Sequence, residues 1–317
     1  MTQKLASISI DLDEVPRYTA IHGVAEVGGA AMHAVYDRCV PRFVDWLDRE
    51  SIPATFFTIG EDLERTRNAE TVARLHRRGH EVANHSYHHH YDLVRRPAAE
   101  LRQEVERGAA IIERICGERP VGFRAPGYTV SDALFDVLEE ASVGYDSSVF
   151  PCASYYATKV ASLAAIRLRG ARSSSILDTP AVLRAPRSPY RVGRPYWRRG
   201  DGLLELPIGV TRLQFPYIGT SLVLGGRRVA VALTRQMLGR EHINLELHGF
   251  DAADRSGDGL DALAPHRPDL GRSATTKLEA LSAAVEVMRG AGSVSYTHLT
   301  LPTTDVGGGS RGGGGAG

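Results

Sequence analysis

Short runs of β-branched and aromatic residues, bounded by turn residues, recur along the chain at Leu5 to Leu12, Ala54 to Ile59, His80 to Asn84, Val121 to Arg124, Val143 to Ser147, Leu203 to Ile208 and Ile243 to His248. Between several of them apolar positions fall three and four apart, which predicts helices over Val35 to Arg49, Ala69 to Arg78, Ala98 to Ile115, Asp132 to Ala141 and Thr275 to Arg289. Strand and helix in alternation predict βα units around a parallel sheet, in one large α/β domain. Chemistry in such folds collects where strands end and loops begin.

One stretch breaks this rhythm. From Pro151 to Gly200 there are ten Lys or Arg (Lys159, Arg167, Arg169, Arg172, Arg184, Arg187, Arg191, Arg194, Arg198, Arg199) against the single acid Asp178, although the chain of 317 residues carries a net charge of only +1. The remainder therefore sits near −8. With its prolines, tyrosines and Trp197 the stretch reads as a long irregular insertion on the barrel. It has two readings: recognition of an anionic group, as bidentate phosphate contacts favour arginine, or a cover paired with the acidic remainder. Tyrosines and Trp197 there suit stacking on a sugar face, or peripheral contact with a membrane.

The near-neutral total argues against a nucleic-acid partner, and no apolar run approaches the roughly 20 residues of a membrane span. The opening MTQKLASISIDLDE shows no signal-like apolar run, and Cys39, Cys116 and Cys152 form no CxxC; both predict a cytoplasmic protein with reduced thiols. Eight of the last dozen residues are glycine, and the stretch should be disordered. Before them, Val294 to Thr304 (VSYTHLTLPTT) resembles a translated sequencing adaptor, which would put the α/β domain at 1–293 and a non-native tail at 294–317. His298 is accordingly not counted as a ligand.

Candidate chemistry sits at the strand ends. Asp11 and Asp13 close the first strand, and residues two apart on a strand face the same way, so one carboxylate can hold a cation while the other accepts a proton. After the third strand comes Asn84-His85-Ser86-Tyr87-His88-His89-His90; one helical turn would present His85 and His89 to a single ion, with His88 as the i, i+3 substitute. Phe123-Arg124-Ala125-Pro126-Gly127-Tyr128 fixes a turn in which an arginine can hold a carboxylate and a backbone N–H can face an oxyanion. Asp146 and His248 end two further strands, and an acid near a histidine can orient it and raise its pKa.

In this order, Asp-x-Asp, His-Ser-x-x-His, Arg-x-Pro-Gly, Asp-x-Ser and Leu-x-Leu-His resemble the five motifs of the NodB-like polysaccharide deacetylases, carbohydrate esterase family four, over roughly Ser7 to Ser293. The resemblance implies a distorted (β/α) barrel of about seven parallel strands and a metal-dependent hydrolase of carbon–nitrogen bonds acting on an N-acylated sugar or glycoconjugate. It implies one divalent ion, zinc first, on Asp13, His85 and His89, with Asp11 as base and His248 as acid. Arg124 would orient Asp11, and Asp146 would tune His248. Gly127 and Tyr128 would border the substrate, and Leu247 would wall the acyl pocket. The commonest first motif has adjacent aspartates, whereas Leu12 separates them here. That spacing is similar to allantoinase-like and intracellular branches, and leaves a small-amide hydrolase as one alternative and an inactive carbohydrate-binding barrel as another.

Overall fold

The computed structural model describes residues 4–25, 27–291 and 294–296. In chain order the elements are β1 (Lys4–Asp11), α1 (Val15–His22), α2 (Val40–Glu50), β2 (Thr55–Thr58), α3 (Thr66–Arg77), β3 (Glu81–Asn84), α4 (Ala98–Cys116), β4 (Gly122–Phe123), α5 (Asp132–Glu140), β5 (Tyr145–Asp146), α6 (Ala153–Leu168), β6 (Tyr190–Val192), β7 (Arg199–Glu205), α7 (Gly219–Met237), β8 (His242–His248), α8 (Ala274–Gly290) and β9 (Val294–Tyr296).

The sheet runs β6-β7-β5-β4-β3-β2-β1-β8, parallel throughout except for the β6–β7 hairpin. Strands placed in sequence, with the last returning to the first, follow barrel order, so β1, β2, β3, β4, β5, β7 and β8 supply the parallel strands expected of a distorted barrel. The seam lies between β7 and β8. There Asn244 Nδ2 donates to the carbonyls of Leu206 and Pro207 and to Ser147 Oγ, at 3.1–3.2 Å. A Cβ at Gly209 would lie 2.5 Å from the Asn244 carbonyl, so only glycine lets the chain pass so near β8.

Alternation sorts the strands into two faces. Along β1, Ala6, Ile8 and Ile10 pack outward into the core beneath α2, α7 and α8, whereas Ser7, Ser9 and Asp11 line the barrel interior. On β8, Ile243, Leu245 and Leu247 face the helices, while Asn244 and Glu246 face inward. Burial of the apolar face drives the sheet against its helices; the interior is polar and must be satisfied by its own hydrogen bonds.

The basic stretch is more regular than its composition suggests. It contains α6 and the β6–β7 edge hairpin, because Tyr190, Val192 and Tyr196 join a second core under α5. Arg194 pairs with Asp136 and Glu139 on α5. At the start of the tail, β9 pairs in parallel with Lys4, Leu5 and Ala6 of β1, the half of that edge which the four-residue β2 leaves open. The rest of the tail lies outside the described residues. Among the described residues no helix is long and apolar enough to cross a membrane.

Candidate active site

At the carboxyl ends of β1, β3, β4 and β8 four sequence segments converge. Asp13 Oδ1 lies 3.5 Å from His85 Nε2 and 3.3 Å from His89 Nε2. Bonds of about 2.1 Å around a tetrahedral ion place ligand atoms about 3.4 Å apart, so these spacings fit a divalent first-row cation. His85 Nδ1 donates to the Arg124 carbonyl at 2.7 Å, which leaves Nε2 as the coordinating lone pair. Asp13 Oδ1 and both ring nitrogens of His89 are buried without a hydrogen-bond partner among the described residues, as a ligand set would be. Burial pushes the His89 imidazole down to about 3, keeping it neutral and able to coordinate.

The histidines do not converge by the route the spacing predicts. Residues 85–90 form no helical turn; Ser86 and His89 take positive φ values of 64° and 58°, and Ser86 Oγ accepts from the His89 N–H at 3.0 Å. Glu104 on α4 holds this loop, accepting from the N–H groups of Tyr87 and His88 at 3.2 and 2.8 Å. His88 is therefore no substitute ligand: its Nδ1 lies 2.5 Å from Glu104 Oε1, facing away from Asp13.

Arg124 is fully buried and joins the interior into one network. Its Nη1 donates to Asp11 Oδ1 at 2.5 Å, Nη2 donates to Ser9 Oγ and Ser147 Oγ at 2.9 Å, and Nε donates to the Ser147 carbonyl at 2.7 Å. Asp11 thus keeps one oxygen on Arg124 and turns Oδ2 toward His85 Nε2, 3.8 Å away. Burial lifts its carboxyl above the ordinary value although Arg124 and His85 pull it down, which strengthens it as a proton acceptor.

His248 receives its carboxylate from an unexpected source. Glu246 Oε1 lies 2.9 Å from His248 Nδ1, while Nε2 faces the cavity 3.2 Å from the Tyr128 hydroxyl. Burial alone would lower this imidazole; Glu246, and beyond it Asp11 and Asp13, raise it to about 10. Asp146 does not tune His248. Its carboxylate accepts from the Ser148 N–H and hydroxyl at 3.0 and 2.7 Å, and the Ser148 hydroxyl accepts from the Ala125 N–H at 2.7 Å, so Asp146 braces the Arg124 turn. Glu246 was legible in principle, since it precedes His248 by the same two residues that relate Asp11 to Asp13.

Two other expectations are corrected by the same alternation and by the fold's edge. Leu247 points to the helix side of β8 and is wholly buried in the core, so it does not wall the acyl pocket. Trp197 packs on the second core and borders a separate hollow with Arg95 and Asp178, so it does not line the catalytic cavity. Gly127 and Tyr128 do line it. A Cβ at Gly127, whose φ is +64°, would meet the Tyr91 ring at 2.9 Å. The cavity measures about 860 Å³ and has Asp11, Asp13, His85 and His248 at its floor.

A family model described as polysaccharide deacetylase matches residues 32–145. A chitooligosaccharide deacetylase of Bradyrhizobium sp. (strain ANU 289) is 32% identical over 128 residues, 38% of this chain and 57% of that protein. A peptidoglycan-N-acetylglucosamine deacetylase of Bacillus cereus is 33% identical over 107 residues, 34% of this chain and 47% of that protein. The chain thus spans about half the length of the curated relatives it matches. A solved Mycobacterium smegmatis chain assigned as a polysaccharide deacetylase superposes with a TM-score of 0.55 at 22% identity, covering 95% of this chain and 96% of that one, which is a likeness of fold.

Proposed function

Since the chain belongs to the NodB-like polysaccharide deacetylases, we propose that it hydrolyses the N-acyl group, acetyl first, of a sugar or glycoconjugate, using a divalent ion, zinc first, on Asp13, His85 and His89. The observation that carries this reading is the pair of opposed proton-handling groups above one ligand triad: Asp11 on Arg124, and His248 on Glu246. When bound, the ion polarises the acyl carbonyl and makes water more acidic. Asp11 Oδ2 accepts the proton of the attacking water, and Arg124 holds the carboxylate in line by occupying its other oxygen. His248, kept protonated by Glu246, delivers a proton from Nε2 to the departing nitrogen. Tyr128 fixes the edge of that ring.

A binding barrel has no use for separate base, acid and orienting groups, so the enzyme reading stands ahead of the inactive one. A cavity of about 860 Å³ is also larger than a small cyclic amide needs. The range of possible carriers narrows as well: Arg194 is engaged by α5, and of the lysines and arginines in the basic stretch only Lys159 among the described residues lines the cavity. That weighs against a substrate recognised through its phosphate. Metal-loaded protein screened against N-acetyl sugars, nucleotide sugars and lipid-linked sugars, with acetate and formate detection, tests the proposal. Protein with full metal content that releases neither acid from any of them would overturn it.

A further inference from the structure

The cavity changes character with height. Its floor is charged, but Asp11 and Asp13 are the only acids among its described lining residues. The one lysine and the one arginine among its described lining residues are engaged: Lys159 Nζ donates to the Gly127 carbonyl at 2.9 Å, and Arg267 Nε donates to Asp269 at 2.8 Å. Above the floor most of the wall surface is aliphatic and aromatic, interrupted by short polar side chains such as Ser154, Thr158, Thr220 and Ser221. Ile21 comes from α1, Phe215 and Ile218 from the segment before α7, and Val229 and Leu233 from α7 itself. Sugar hydroxyls set against Phe215, Val229 and Leu233 would lose water and find no partner on those side chains, whereas a hydrocarbon chain would lose nothing.

Two residues of that wall, Phe215 and Val229, are exposed large apolar side chains, by 51% and 39%, and carry the apolar surface out to solvent. No residue of α6 is buried. Neither α6 nor α7 carries an Asp or Glu, although both carry cations, among them Arg167, Arg227 and Arg228. An apolar wall between two acid-free helices, leading down to a charged floor, matches an amphiphile that enters sugar first.

We propose that the substrate bears a hydrocarbon chain, which lies along Phe215, Val229 and Leu233 while its N-acylated sugar occupies the floor. This rests on reading the site as an N-deacylase and names the substrate class for it. The chain could hang from either end of the sugar, as the carrier at the anomeric carbon or as the acyl group itself, and the two sources are separable. Metal-loaded protein would be assayed on methyl and octyl glycosides of N-acetylglucosamine and on N-octanoylglucosamine, with octyl glucoside binding followed by calorimetry. Each methylene that reaches the wall favours binding roughly fourfold, so the octyl glycoside should exceed the methyl glycoside in kcat/KM by about tenfold or more. If N-octanoylglucosamine alone gains, the acyl group is the chain. Val229→Asp, at an exposed position, should pull the octyl-to-methyl ratio toward one, and Leu233→Gln should do the same. Equal kcat/KM for all chain lengths in the parent would overturn the proposal while leaving the deacylase reading intact. Octyl glucoside binding that Val229→Asp abolishes, without turnover of any acyl sugar, would do the reverse.

Discussion

Inside the barrel, Ser9, Asp11, Arg124, Ser147 and Asn244 form a hydrogen-bonded column in which every charged group has a fixed partner; on α6 and the outer half of α7, side chains meet mainly solvent. The first region is expensive to disturb, because a buried charge left alone has no water to turn to. The second is tolerant, because a side chain there exchanges one partly exposed setting for another. Under the proposed function the column carries the chemistry and the wall the choice of substrate. It also makes the two separable by mutation.

The largest effect should come from the ligands. Asp13→Ala or His85→Ala should strip the metal and reduce kcat/KM on the order of 10³-fold or more, since several kcal/mol of charge stabilisation are lost; stoichiometric metal retained in both variants would remove this triad from consideration. Asp11→Asn should keep its metal yet lose about 10²-fold or more in turnover, because an amide cannot take the proton. Near-normal rates would place the base elsewhere.

Stability draws the same line between column and surface. Arg124→Leu leaves Asp11 buried and unpaired, and should lower unfolding free energy by about 3–5 kcal/mol in a denaturant titration. Arg194→Gln, which loses only the exposed pair with Asp136 and Glu139, should change it by less than about 1 kcal/mol. Similar losses in the two variants would erase the distinction.

Glu246→Gln should act through pH rather than through rate alone. Folding raises His248 from 6.5 to about 10, so the acid is protonated, and its pair with Glu246 stabilises fully below pH 6.5; both fade as pH climbs through about 10. Without the carboxylate the basic limb of kcat/KM should move to lower pH. An unmoved limb would mean that His248 is not the group titrating there. The smallest effect should follow from replacing Arg191, Arg198 and Arg199 with Gln, within about twofold on any substrate, since none of them lines the cavity among the described residues.

Much of this was legible from local pattern. The strand at Leu5 to Leu12 and the helices near Ala98 and Asp132 hold almost to the residue, because apolar periodicity and burial on one face express the same physics. α7 was not foreseen: Gly225 and Gly226 interrupt its periodicity, and the helix breaks at Gly226, where φ is 71°. α6 escaped notice because it buries nothing, so no core stripe marks it.

What the sequence determined by itself was the inventory and its facing: acids and histidines at strand ends, and, through the two-residue period of a strand, which neighbours share a side. Tertiary structure decided the pairings. Glu246 rather than Asp146 meets His248 because ring nitrogen and carboxylate lie on one strand, whereas β5 directs Asp146 to the Arg124 turn. His89 rather than His88 meets Asp13 because two positive-φ residues and Glu104 shape a loop that no helical period describes. Contacts between distant segments depend on register and closure, and those are fixed only when the whole barrel packs.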